Sequence, residues 1–209
     1  KMKQIGRLHV ITDFTFQQKH SHTELAMMAI QGGADSIQFR QKHGSLRDLL
    51  ASAHAVQLVC SSNNIPFIVN DRVDIAQAVH ADGVHLGQVD MPASLARAIL
   101  GPDFIIGITT PDSSLASKAY SDGADYVGFG PVYPTKSKSN PIGVQGIEGL
   151  AKFCNTAKLP VIAIAGITVE RSVEVMKAGA YGVAVMTAVS LAKNPTMEVQ
   201  RFSEVVCRQ

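Results

Sequence analysis

The chain sets its chemistry-bearing side chains at the ends of short apolar runs. Gln38, Arg40 and Lys42 alternate in Gln38-Phe39-Arg40-Gln41-Lys42, so an extended strand carries all three on one side. An amide, a guanidinium and an ammonium on one face suit a polyanion, because the fork and the point charge both grip phosphate oxygens. Taken alone, Lys42 reads as a solvated strand end. Further on, Asn70-Asp71-Arg72 closes one apolar run and His85-Leu86-Gly87-Gln88-Val89-Asp90 closes the next. Asp71 and Asp90 on adjacent strand mouths would face each other, and two carboxylates completed by water and a phosphorylated substrate suit Mg²⁺. The plainer readings are a helix N-cap for Asp71 and a turn before Met91-Pro92 for Asp90. His85 lies in an alternating run and is expected to be a satisfied core histidine without a catalytic role.

Three later segments add to this set. Thr109 offers a hydroxyl at the end of Gly107-Ile108-Thr109-Thr110. The run from Gly130 to Gly146 holds Thr135, Ser137 and Lys138 and reads as an anion clamp, with a merely solvated loop as the alternative. Finally, Ala165-Gly166-Ile167-Thr168 and Val185-Met186-Thr187-Ala188 are small-residue strand ends that each lead into a helix. Gly166, Met186 and Thr187 would then border a phosphate cup whose donors are backbone N–H groups. The constellation offers two anion sites, one cationic with a metal and one suited to a monophosphate. No Ser-His-Asp arrangement, zinc-spaced cluster or P-loop is legible.

These residues need elements to carry them, and a repeat supplies the count. Gly33-Ala34-Asp35-Ser36-Ile37, Ala81-Asp82-Gly83-Val84-His85, Gly123-Ala124-Asp125-Tyr126-Val127 and Gly179-Ala180-Tyr181-Gly182-Val183 are four versions of one phrase. Each closes a helix-like stretch with a left-handed turn and opens a strand. Between copies there is room for one more strand and helix, which predicts an α/β chain of eight βα units: a single-domain (β/α)₈ TIM barrel over residues 1–209. The predicted strands are Leu8–Thr12, Ser36–Arg40, Pro66–Asn70, Gly83–Leu86, Phe104–Ile108, Tyr126–Phe129, Val161–Ile164 and Gly182–Met186. All are short and apolar, as strands buried on both faces should be. Leu46–Asn63 reads as the longest helix, and Thr168 as the N-cap of the seventh. In such barrels the C-terminal strand ends converge on the active site, which is where the polar residues fall.

Composition narrows the class. A net charge of +2 without a Lys/Arg run argues against a nucleic-acid partner. Cys60, Cys154 and Cys207 are odd in number and widely spaced, so they read as reduced, inert thiols of a cytoplasmic protein. No window has transmembrane length and no signal-peptide core is legible at the start, so no membrane partner is expected. Barrels of this size often pair through their helices, and a homodimer is an open expectation.

Taken together, the residues resemble the thiamine-phosphate synthase (thiamin phosphate pyrophosphorylase) family. The resemblance rests on Val10-Ile11-Thr12-Asp13, the Gln38/Arg40/Lys42 trio and Asn70-Asp71-Arg72-Val73-Asp74. It continues through Ala81 to Asp90, Gly123-Ala124-Asp125-Tyr126-Val127-Gly128 and Gly130-Pro131-Val132-Tyr133-Pro134-Thr135 with Ser137-Lys138. It implies a transferase that condenses a hydroxymethylpyrimidine diphosphate with a thiazole phosphate, releasing pyrophosphate through a dissociative, carbocation mechanism. By matching position it implies that Gln38, Arg40, Lys42 and Asn70 hold the pyrimidine diphosphate and that Asp71 and Asp90 bind Mg²⁺. Thr109 stands near the pyrimidine where the family commonly has serine. Thr135, Ser137 and Lys138 embrace thiazole phosphate and pyrophosphate, with Ser137 replacing the usual threonine, and Gly166 and Thr187 cup the thiazole phosphate. Lys138, Arg40 and Thr109 are the expected catalytic residues. Ala165 departs from the two glycines usual after strand seven, and its methyl crowds the phosphate unless its φ is negative. The alternatives are a thiazole tautomerase-like paralogue, a sugar-phosphate isomerase and a non-catalytic barrel that only binds a phosphorylated metabolite. The first of these need not keep Arg40, Lys42, Asp71, Asp90 and Lys138.

Overall fold

The computed structural model describes residues 4–137 and 143–207. Eight parallel strands close a barrel in chain order. They are β1 (Leu8–Thr12), β2 (Ser36–Phe39), β3 (Phe67–Asn70), β4 (Gly83–Leu86), β5 (Ile105–Thr109), β6 (Tyr126–Phe129), β7 (Val161–Ile164) and β8 (Gly182–Val185). Helices α1 (His22–Gln31) to α7 (Val169–Lys177) alternate with them. A four-residue α8 (Thr187–Ser190) and the final α9 (Pro195–Val206) follow β8. Four strands match their predicted bounds. Three others differ by one residue at one end, and β5 is shifted by one residue at both ends, where strand hydrogen bonds give way to turns.

The repeated phrase has a structural job at the N-terminal rim. Its left-handed residue is Gly33, Gly123 and Gly179 in three copies, with φ of +94°, +85° and +97°. In the second copy it is His80, just ahead of Ala81, at φ +52°. The aspartate that follows then clasps the preceding strand. Asp35 accepts from Leu8 N at 2.7 Å, Asp82 from Phe67 N at 2.9 Å and Asp125 from Ile106 N at 2.8 Å. Each of these amides lies at the start of a buried strand, the first residue of β1 and β3 and the second of β5, and leaving it without a partner would cost about 1–3 kcal/mol. The fourth copy has Tyr181 instead. Its N–H bonds Val161 O at 2.9 Å, while its hydroxyl donates to Ile5 O at 2.9 Å and its carbonyl accepts from Arg7 Nε at 3.0 Å. Tyr181 thus fastens the seam where β8 meets β1.

Packing divides at the barrel wall. Outside it, helix stripes bury a continuous apolar layer that includes Ala26, Val56, Leu150 and Phe202. Inside, Ile11, Ile68, Ile105 and Ile162 come from the four odd strands and interleave, the layered filling expected of such barrels. Tyr126 fills the remaining width. A Cβ on Gly107 would lie 2.1 Å from its ring, so glycine opposite is what admits the aromatic. The floor is therefore solid, and the mouth above it is free to hold a site.

Candidate active site

At the C-terminal mouth lies a cavity of about 790 Å³. Gln38, Arg40, Lys42, Asn70, Asp71, Asp90 and Thr109 line it from β2 to β5 and the turns that follow them. Thr135, Ser137, Gly166, Met186 and Thr187 line the opposite side. Lys138 lies outside the described residues. The loop that follows β6 reaches the β8 side directly, because the hydroxyls of Ser137 and Thr187 are 3.0 Å apart.

The cations of the β2 rim are already partnered. Arg40 forms an ion pair with Asp13, whose side chain is only 1% exposed. Asp13 is itself fixed by Thr15 N at 2.5 Å and, through its carbonyl, by Gln17 Nε2 at 3.2 Å. Lys42 pairs with Asp71. Asp71 does not cap α3 (Val73–Ala78); the capping position is Arg72, which makes no side-chain cap. Instead Asp71 holds a left-handed φ of +65°, with its N–H on His85 O at 2.8 Å, and so turns toward the mouth.

Asp90 meets it there. Burial raises the Asp90 pKa above the usual carboxylate range, and the neighbouring Asp71 carboxylate raises it further. The Gly87 N–H, donating at 2.6 Å, and the Lys42 charge work against the rise. Two abutting carboxylates with one ammonium between them favour a further cation. The donors are hard oxygens, two carboxylates at the mouth of a cavity suited to a phosphorylated substrate. That pattern fits Mg²⁺, which takes one or two carboxylates and completes its shell from water and phosphate.

Beneath these groups His85 bridges two hydroxyls, Nδ1 to Tyr126 Oη and Nε2 to Thr109 Oγ1, each at 2.9 Å. Both ring nitrogens are thus satisfied, as expected from its alternating run, and the ring also lines the cavity. His9 also lines the cavity from β1. Burial lowers its pKa, and with Nε2 on Gly6 O at 2.8 Å the neutral ring leaves Nδ1 as an acceptor without a partner among the described residues. The sequence reading missed His9, Asp13 and Tyr126. Only the glycine at 107 could have pointed to the tyrosine.

On the opposite side Ala165 and Gly166 have φ of +82° and +66°. The negative φ that would make the Ala165 methyl harmless is therefore not what this chain adopts. A Cβ at Gly166 would lie 2.6 Å from Pro134 O and 2.7 Å from Tyr133 Cβ, so glycine is required there for space as well as for φ. Thr168 caps α7 as expected, accepting from Arg171 N at 3.3 Å.

No cysteine joins the site. All three are free, and burial pushes the Cys60 thiol up to about 12 and Cys154 up to about 11, which keeps both protonated. Among the described residues no helix is long and apolar enough to cross a membrane.

Comparison with known proteins places this geometry. A family model described as thiamine monophosphate synthase matches residues 8–189. A thiamine-phosphate synthase of Salinibacter ruber is 54% identical over 204 residues, covering 98% of this chain and 90% of that protein. One from Chloroflexus aurantiacus is 40% identical, covering 96% and 92%. Among solved structures, a thiamine phosphate pyrophosphorylase from Pyrococcus furiosus superposes with a TM-score of 0.86 at 37% identity, covering 96% of this chain and 95% of that one.

Proposed function

The chain belongs to the thiamine monophosphate synthase family, a transferase family of thiamine biosynthesis, and from that premise we propose how its barrel mouth makes thiamine phosphate. The substrates are the diphosphate of 4-amino-2-methyl-5-hydroxymethylpyrimidine and 4-methyl-5-(2-phosphoethyl)thiazole. The observation that carries the reading is one cavity lined by Gln38, Arg40, Lys42, Asp71 and Asp90 on one side and by Gly166, Thr187 and Ser137 on the other, where Ser137 meets Thr187.

Gln38, Arg40, Lys42 and Asn70 hold the pyrimidine diphosphate. Its arrival exchanges partners: phosphate oxygens take the place of carboxylates at Arg40 and Lys42. Asp71, released from Lys42, and Asp90 would then hold Mg²⁺, which when bound neutralises charge on the pyrophosphate. The C–O bond to pyrophosphate breaks first. Its electron pair leaves with pyrophosphate, and positive charge spreads into the aminopyrimidine ring. Fixed cations favour this step because charge on the leaving group grows toward the transition state. Arg40 contributes there together with Lys138. Thr109, oriented by His85, stands beside the pyrimidine. The thiazole nitrogen then captures the cation and forms the new C–N bond. Gly166, Met186 and Thr187 keep the thiazole phosphate in place, and Thr135 and Ser137 close over it. A cytoplasmic enzyme that acts on small molecules, with two copies pairing through outer helices, completes the reading.

The test is direct. The purified chain is mixed with both substrates, with and without Mg²⁺, and product is oxidised to fluorescent thiochrome. Magnesium-dependent fluorescence is the expected result. No product, with thiazole phosphate still bound, would favour a tautomerase-like or silent barrel and overturn the reading.

A further inference from the structure

Ala165 holds a backbone conformation that costs an L-residue about 1–2 kcal/mol, so something nearby must hold it there. Both carbonyls of the Ala165–Gly166 turn are engaged. Ala165 O accepts from Tyr133 N at 3.1 Å. Gly166 O accepts from Arg171 Nη1 at 2.7 Å. Arg171 stands in the first turn of α7, and its guanidinium carbon lies 4.4 Å from the centre of the Tyr133 ring. The Tyr133 hydroxyl in turn donates to Glu174 on the same helix. Arg171, Tyr133 and Glu174 therefore strap the stem of the β6 loop to α7 across this turn, and Arg171 lines the cavity.

We infer that Arg171 is the positioning residue of the phosphate cup, holding the Ala165–Gly166 turn left-handed in a chain that lacks glycine at the first position. Its guanidinium suits the task. One N–H takes the carbonyl while the plane stacks on the tyrosine ring, a combination an ammonium does not reproduce. The inference rests on the reading of this turn as the thiazole-phosphate site.

The experiment is a two-substrate kinetic comparison of Arg171→Gln in the natural background and in the Ala165→Gly background. Thermal unfolding of each variant is measured alongside. In the natural background KM for thiazole phosphate should rise about tenfold, the equivalent of one hydrogen bond to a charged group, with KM for the pyrimidine diphosphate unchanged. Glycine at 165 tolerates the left-handed turn without help, so the rise should shrink to about threefold or less in that background, a coupling that independent sites lack. An equal rise in both backgrounds would overturn the inference. So would no rise, or a loss shared by both substrates together with a lower melting temperature. Absence of thiamine phosphate from the unmodified chain would instead sink the functional reading itself.

Discussion

At the scale of single residues, the mouth is a set of balanced charges. Arg40 faces Asp13 and Lys42 faces Asp71, so the cations stay oriented before any substrate arrives. Gly166 is the opposite kind of residue, important for what it lacks. Gly166→Ala forces a methyl toward the backbone of Pro134 and the Tyr133 side chain in a left-handed conformation. KM for thiazole phosphate should rise by about tenfold or more, with binding of the pyrimidine diphosphate little changed, as steady-state kinetics on each substrate would read. Much of this side-chain set was legible, because alternation along a strand sorts residues by side. Gln38, Arg40 and Lys42 do share the cavity. What was not legible is contact between distant positions. Asp13 meets Arg40 across 27 residues, and Arg171 bonds backward to Gly166 from a helix. Nothing in local spacing announces either one.

At the scale of elements, the barrel separates stability from chemistry. The N-terminal rim carries the aspartate clasps; the C-terminal rim carries the cavity. Asp82→Ala removes the acceptor of a buried amide, Phe67 N, far from the mouth. Denaturant unfolding should report a loss of about 1–3 kcal/mol, while kcat stays unchanged. This separation is also why the strands were readable. Each is a run of apolar residues between a repeated turn and a polar end, and both boundaries leave marks in sequence. The loop that follows β6 left a weaker mark. Its prolines, hydroxyls and lysines suggested a clamp, but its attachment to Ala165 O and Glu174 depends on how β6 and β7 align in space.

At the scale of the whole molecule, buried histidines set an acid limit. Burial lowers the His22 pKa from 6.5 to about 4, against the opposing pull of Asp13, and lowers that of His9 as well. The folded state thus favours the neutral rings. Their contribution is fully present above the unfolded pKa of 6.5 and is lost as pH falls toward the folded value. Between pH 7.5 and 5, His22 alone should remove about 2 kcal/mol of unfolding free energy. Urea titrations at the two pH values would measure it, and His22→Gln should flatten the difference.

The clasps at the N-terminal rim also imply an order of assembly. Asp35, Asp82 and Asp125 each join a strand to the next over 27, 15 and 19 residues, short loops that close at little entropic cost. The seam at Tyr181 ties positions 174 and 176 apart. Such a chain grows as a curved, open fence of neighbouring strand pairs. It becomes a ring only when its two ends meet. The long separation predicts that the gate at β8 and β1 is the last to shut during folding, and pulsed hydrogen exchange during refolding should show its amides protected after those of the other strand pairs.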